Sequence, residues 1–331
     1  MQKSSIPQED STIDLQLRPN SWDEYVGQEK VKRGLRLIID AARKRREPID
    51  HLLFCGQAGL GKTTLAHLVA REMGGEIKVT SGPSLERAGD LAAVLSSLEE
   101  GQVLFIDEAH RIHRTIEEVL YPAMEARKIH LMVGKGPAAR SITLSLPPFT
   151  LIAATTRESL LSAPLRSRFG AVFRLDYYEI EDIKEILARS SRILGAEITD
   201  EAINILARAS RATPRVANRL LKRARDYAEV HGRGVVDAEA ARKTLDLLEI
   251  DSCGLEHHDR RLLEVLIMKF HGGPVGLNTL AAAMGEERGA IEDIYEPYLM
   301  KLGFLKRTPA GRIALPAAWE HLGIERKGEL F

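Results

Sequence analysis

Residues 51–73, HLLFCGQAGLGKTTLAHLVAREM, restrict the possible folds more than any other stretch of this chain. An apolar run (51–55) meets Gly56, and GQAGLGKT (56–63) fits the pattern G-x-x-x-x-G-K-[ST]. A helical pattern then runs over 62–73. Strand, glycine-rich turn and helix in that order form a phosphate cradle. Glycines let backbone N–H groups close around oxygen atoms, and the helix N-terminus favours negative charge. In this arrangement Gly56, Gly59 and Gly61 shape the turn, Lys62 reaches the β- and γ-phosphates, and Thr63 ligates Mg²⁺. An accidental glycine-rich turn would not carry the flanking strand and helix.

The surrounding sequence extends this unit into an α/β domain. Short apolar runs recur at 76–80, 102–107, 149–156 and 171–175, separated by helical patterns. Strands apolar on both faces and joined by helices predict a parallel sheet covered on both sides. A helix is expected at 28–46, with Val31, Leu35, Ile38 and Ile39 on one face, after a polar, aperiodic arm at 1–20. Residues 129–146 break the rhythm: two extended stretches flank Gly134-Lys135-Gly136-Pro137, a β-hairpin inserted into the domain.

Past residue 180 the texture becomes helical, over 180–194, 200–209, 214–230 and 237–249. IDSCGLEHHD (250–259) reads as a linker. Three further helical patterns (260–302) precede a strand-turn-strand at 303–315, the order of a winged-helix domain. The expected organisation is an ATPase domain at 1–180, a helical lid at 181–253 and a winged helix at 254–331.

Composition narrows the function. Lys plus Arg equals Asp plus Glu at 47 each, so nucleic-acid contact requires a local patch. From 254 onward there are 10 basic and 11 acidic residues, a net of −1, yet KLGFLKRTPAGR (301–312) holds Lys301, Lys306, Arg307 and Arg312 without an acid. That hairpin suits backbone phosphates more than base edges. Two cysteines, Cys55 and Cys253, do not make a disulfide framework. No apolar run approaches the roughly 20 residues of a membrane span. The N-terminus lacks an apolar signal core, so a soluble cytoplasmic chain is expected.

Asp107 and Glu108 follow the third strand, where a magnesium-holding carboxylate and a water-polarising glutamate belong in such ATPases. The letters Asp107-Glu108-Ala109-His110 also spell the signature of a helicase class. That class carries a second α/β lobe with a QRxGRxGR-type motif; neither is present here. LIAATTR (151–157), PLRSRFG (164–170) and ATPRVANRLLKR (212–223) are instead similar to AAA+ ATPases. They place a polar sensor at Thr155-Thr156, with Thr156 the catalytic candidate, an arginine finger at Arg168 and a lid arginine at Arg215. Arg166 and Arg168 equally suit capping of a helix C-terminus.

More specifically, the chain resembles the RuvB family of Holliday-junction branch-migration motors over roughly residues 15–315. The matching stretches include LRPNSWDEYVGQEKVK, GLGKTTLAH, VLFIDEAHR, LYPAME, GPAARSITLSLPPFTLI, PLRSRFG, TPRVANRLLKR, GGPVGLNTLAAAMGEER and GFLKRTPAGR. The resemblance implies a homohexameric ring around duplex DNA at a four-way junction, acting in recombination and repair. It implies docking on RuvA through hairpin 129–146, a RuvC resolvase partner, and ATP with Mg²⁺. Leu17, Arg18 and Tyr178 would flank the nucleotide; Gly59, Gly61, Lys62, Thr63 and Thr64 would hold its phosphates. Thr63 and Asp107 would serve the metal, while Arg307, Arg312 and Arg288 would contact DNA. Leu131, Met132 and Val133 would form the docking tip, although packing on the chain's own surface is an equal alternative for them.

Four departures from the family pattern stand out: Gln57-Ala58 in place of two prolines, Ala109 for Ile, Ala126-Arg127 for an acidic and an aromatic residue, and Ala153 for Gly. None removes a catalytic group, but Ala126-Arg127 puts in doubt any nucleotide contact that this turn would make in the neighbouring subunit. Two other functions share parts of the pattern. A clamp-loader ATPase shares the sensor but ends in a helical collar, and an initiator-like switch would read DNA sequence.

Overall fold

The computed structural model describes residues 15–133, 140–232 and 234–325, without the side chains of 131–133 and 141. Helix α1 (Glu29–Arg45) buries Val31, Leu35, Ile39 and Ala42 along one face. Five strands then build a parallel sheet: β1 (Leu52–Cys55), β2 (Ile77–Ser81), β3 (Val103–Asp107), β6 (Thr150–Thr155) and β7 (Ala171–Arg174). Their order is β2-β3-β6-β1-β7, with Leu53 beside Ala153 and Phe105 beside Ile152. The three central strands are buried almost throughout, as expected of a sheet covered on both faces. Helix α2 (Lys62–Glu72) follows β1, α3 (Ala88–Ser96) lies between β2 and β3, and α4 (Arg114–Ala126) follows β3.

The strand order has a chemical consequence. The C-terminal ends of β1, β6 and β3 lie side by side, the edge where open α/β sheets bind ligands. The phosphate loop, Thr155 and Asp107 therefore converge although nearly 100 residues separate the first two.

The inserted hairpin is β4 (Lys128–Val133) paired antiparallel with β5 (Arg140–Ser145). Ile129 is fully buried, whereas Ile142 and Leu144 on β5 are 44% and 38% exposed. The Gly134-Lys135-Gly136-Pro137 turn and the side chains of Leu131, Met132 and Val133 lie outside the described residues, as does most of the 1–20 arm.

The chain divides into two compact units. One takes the chain up to Ile186 together with Thr213–Arg215; the other takes Leu187–Ala212 and everything from Val216. The second unit begins with the helical pieces α6 (Ile180–Leu194, whose first turns belong to the first unit), α7 (Asp200–Arg208), α8 (Pro214–His231) and α9 (Ala238–Leu247), and with the short parallel strands β8 (Glu197–Ile198) and β9 (Val235–Val236). It continues with α10 (His257–Glu264), α11 (Leu277–Met284), α12 (Arg288–Ala290), α13 (Glu296–Lys301), β10 (Leu305–Thr308), β11 (Gly311–Ala314) and α14 (Pro316–Leu322). Helix α14 closes the wing and has no counterpart in the sequence expectation.

Segment 250–259 is a packed junction and not a loose tether. Tyr298 Oη donates to Cys253 O at 2.6 Å, His321 Nε2 lies 2.8 Å from Asp251 Oδ2, and Arg260 bonds to the carbonyls of Leu255 and Glu249. Leu255 is fully buried. Polarity in this stretch reflects internal hydrogen bonding, which composition cannot distinguish from solvation.

Candidate nucleotide site and wing

The phosphate loop takes the shape its glycines allow. Gly59 and Gly61 sit at φ +82° and +96°, left-handed values that side chains with a Cβ rarely adopt. Space is also short: a Cβ on Gly61 would lie 2.7 Å from Tyr25 Oη, and one on Gly59 would lie 3.1 Å from the Cβ of Arg215. Arg215, itself exposed, therefore stands beside the loop within the first unit.

Lys62 opens α2, is 7% exposed, and donates to the carbonyls of Gly56 at 2.7 Å and Gln57 at 2.8 Å. Burial lowers its pKa, and the Asp107 carboxylate opposes that shift. A lysine so placed is a strong phosphate donor, because a buried cation gains most from a nearby anion. Thr63 Oγ1 lies 3.4 Å from Asp107 Oδ2. A hydroxyl and a carboxylate facing one another are the hard oxygen donors that Mg²⁺ prefers, so these residues fit that ion. Thr64 follows, half-buried.

Glu108 adopts left-handed backbone (φ 49°), its amide donates to Asp107 Oδ1 at 2.8 Å, and its carboxylate is exposed beside Arg111. The strained turn directs the second carboxylate out of the sheet edge while Asp107 stays at its end.

The two threonines at the end of β6 separate. Thr155 is fully buried; its Oγ1 lies 3.1 Å from His110 Nδ1 and accepts from the Arg157 amide at 2.9 Å. Thr156 lies one residue beyond the strand, half-buried. Nothing in the sequence signals this contact with His110, which lies on the short turn Ala109–Arg111 after neighbouring β3.

Tyr178 is 4% exposed, and its hydroxyl donates to Tyr25 Oη at 3.1 Å and approaches Leu60 O at 3.4 Å. Burial pushes its pKa up to about 12. Its hydroxyl thus braces the phosphate loop from below, and Tyr25 is a further bracing residue the sequence did not single out. Leu17 is buried at 3%. Arg18 is close enough to His67 that its charge helps to lower the histidine pKa, after burial.

Arg168 folds back onto its own domain. One guanidinium nitrogen donates to Pro164 O at 2.7 Å, another pairs with Glu125 at 3.0 Å, and the group lies 4.4 Å from the Tyr121 ring centroid. Its Nε is buried without a hydrogen-bond partner. Pro164 lies in the short helix α5 (Ala163–Arg166), so the capping alternative describes the position taken here.

In the winged helix, Arg307 and Arg312 face each other across β10 and β11. Arg307 Nε donates to Glu296 Oε2, and Arg312 Nε donates to Glu296 Oε1 at 2.8 Å. Glu296 is fully buried, Arg312 is 15% exposed and Arg307 43%. Arg288 opens α12 on the surface.

A five-stranded parallel sheet, a glycine phosphate loop, an Asp-Glu pair and a lid arginine together define an AAA+ ATPase. The family comparisons then resolve the member. Residues 17–175 match the family model described as the Holliday junction DNA helicase RuvB P-loop domain, 178–251 the RuvB AAA lid domain, and 252–323 the RuvB C-terminal winged helix domain. The chain belongs to the RuvB family, and is an ATP-driven branch-migration helicase. Among solved structures it is similar to the Thermotoga maritima RuvB Holliday junction branch migration motor at TM-score 0.85 and 47% identity, covering 94% of this chain and 99% of that one. A proline-to-glycine variant of that protein matches at TM-score 0.86, and an arginine-to-alanine variant at 0.84, both at 47% identity over 93% of this chain and 99% of theirs. No helix among the described residues is long and apolar enough to cross a membrane.

Proposed function

We propose that the chain acts as a homohexameric ring on four-way junction DNA, docked on RuvA and fuelled by ATP with Mg²⁺, in the cytoplasm. The observation that carries this is the convergence of Lys62, Thr63, Asp107 and Glu108 at one sheet edge with Arg215 beside the glycine loop. Lys62 binds the β- and γ-phosphates, and Gly59, Gly61 and Thr64 hold the phosphate oxygens through backbone and hydroxyl donors. Thr63 and Asp107 would hold Mg²⁺, which neutralises phosphate charge when bound. Glu108 orients the attacking water, with Thr156 as its polar partner at the strand end. Leu17, Arg18 and the ring of Tyr178 flank the nucleotide.

Phosphoryl transfer is governed by positioning and charge, so a cation arriving from a neighbour controls the rate. Arg168 serves that role once it leaves Glu125 and Tyr121, and a ring is the geometry that brings it to another subunit. Docking on RuvA falls to the inserted hairpin. Its exposed Ile142 and Leu144 support this, because apolar side chains facing solvent on a two-stranded hairpin favour a partner. Arg307, with Arg312 and Arg288, grips DNA phosphates without reading bases. RuvC follows as a resolving partner on the same junction.

The test is migration of a synthetic four-way junction by the purified protein with RuvA, ATP and Mg²⁺, beside Lys62→Ala. Duplex products from the wild type alone support the proposal. Hydrolysis with an intact junction would point instead to a clamp-loader-type switch.

A further inference from the structure

Arg211 and Asp259 form a buried ion pair within the second unit, with side chains 14% and 1% exposed. Arg211 makes two more contacts: it donates to Ile294 O at 3.1 Å, and its guanidinium lies 4.6 Å from the Tyr298 ring centroid. Asp259 also accepts from the Glu256 amide at 2.9 Å, capping α10. All of these partners lie in the segment 252–323 that matches the winged helix. Arg211 itself lies in the lid segment, 178–251.

The chain around Arg211 is strained. Arg211 and its neighbour Ala212 both sit at φ 53°, left-handed backbone that residues with a Cβ avoid. Directly after them come Thr213–Arg215, which belong to the ATPase unit, with the Arg215 Cβ against the glycine loop. A five-residue path thus runs from a side chain anchored on the winged helix to the lid arginine.

Stability is a poor explanation for this arrangement. Asp259 Oδ1 is buried with no hydrogen-bond partner, and burial raises the Asp259 pKa despite the Arg211 charge. Buried pairs with unsatisfied atoms stabilise little compared with apolar packing. Strained backbone persists mainly where it serves a mechanism.

We infer that Arg211 is a positioning residue that ties the Arg215 turn to the winged helix, so that nucleotide and DNA bias one another's binding. The inference rests on the nucleotide role of Arg215 and the DNA role of the wing. By linkage, a tie of this kind changes DNA affinity with nucleotide and nucleotide affinity with DNA by one common factor. A merely structural contact would change neither.

The experiment uses the full chain with Arg211→Ala and Asp259→Asn combined. Asparagine retains an acceptor for the Glu256 amide, and no buried charge is left unpaired. Affinity for a short duplex is measured by fluorescence anisotropy with and without ADP–Mg²⁺. In the wild type, ADP is expected to shift duplex affinity by at least ~5-fold. In the double variant the shift is expected to vanish while duplex affinity without nucleotide stays at the wild-type level. A full shift in the double variant would overturn the inference. Arg211→Lys, which keeps the charge pair but loses the planar fork, guards against a folding defect: a partial shift supports the tie, and a full one sinks it. A wild type with no shift would refute the tie, and junction migration would still decide the motor proposal separately.

Discussion

Arg312 and Arg307 occupy opposed positions on the two strands of the wing and share the carboxylate of one fully buried residue, Glu296. They are not equivalent partners of it. Arg312, 15% exposed, is part of the buried pair, while Arg307 keeps 43% of its side chain in solvent. Arg307→Gln is therefore expected to lower the slope of log affinity against log salt for duplex binding by about 1, with little change in melting temperature. Arg312→Gln is expected to cost about 1–3 kcal/mol of stability in calorimetry, because Glu296 loses a charge-assisted partner. Equal effects of both changes on stability would contradict the assignment.

Thr155 and Thr156 are adjacent letters with separate expected phenotypes. Thr155 receives the Arg157 amide and faces His110 in full burial. Thr155→Val keeps the shape but removes the buried hydroxyl that accepts from that amide, so stability should fall by about 1–3 kcal/mol. Thr156→Val is expected to leave the melting temperature alone and slow ATP hydrolysis. Steady-state turnover and calorimetry on the two variants separate these roles; matching profiles would merge them.

His51 makes stability depend on pH. Its Nδ1 accepts from the Leu151 amide at 2.9 Å and its Nε2 faces Met124 O at 3.2 Å, which fits a neutral ring with its proton on Nε2. Burial lowers its pKa from 6.5, followed by the Met124 bond and Asp50, which oppose the shift, and by Arg127, which adds to it. A depressed folded-state pKa means that the unfolded chain takes up its proton first as pH falls. The contribution is thus complete above pH 6.5 and is lost as pH drops through 6.5 toward the lower folded value. Unfolding midpoints in urea from pH 8 to 5 should show this slope in the wild type and a flatter one in His51→Gln.

Periodicity and spacing revealed the five-stranded sheet and the phosphate loop because both are local signals. The apolar runs at 51–55 and 102–107 became β1 and β3 to within a residue. The bracing of Leu60 by Tyr25 and Tyr178 was hidden, because it joins residues 35 and 118 positions apart through hydroxyl groups. The packing of the stretch at 250–259 was hidden for a related reason: polar letters look alike whether they face water or each other. The pairing of Arg307 and Arg312 with Glu296 shows the same limit, since a basic hairpin in sequence gives no sign of a carboxylate on a neighbouring helix. Helix α14 was missed because its Pro316 start and single buried Ala318 leave almost no apolar stripe.

Arg168 gives the sharpest test of assembly. In the single chain it is held by Glu125, Tyr121 and Pro164 O, three contacts made by its own domain. If those contacts were its purpose, Arg168→Ala would lower stability and leave hydrolysis intact. If it serves a neighbour, the variant should bind ATP normally and lose turnover by ~10³-fold or more, as removal of an arginine finger does. A mixing experiment distinguishes the two without relying on stability. Mixing Arg168→Ala with Lys62→Ala protein, each inactive alone, should restore hydrolysis, because an Arg168→Ala subunit keeps Lys62 and a Lys62→Ala neighbour supplies Arg168 to that site. If Lys62 and Arg168 had to act within one subunit, no mixed ring of these two variants would contain a complete site. A mixture as inactive as its two components would place the arginine in its own subunit and remove the case for a shared site.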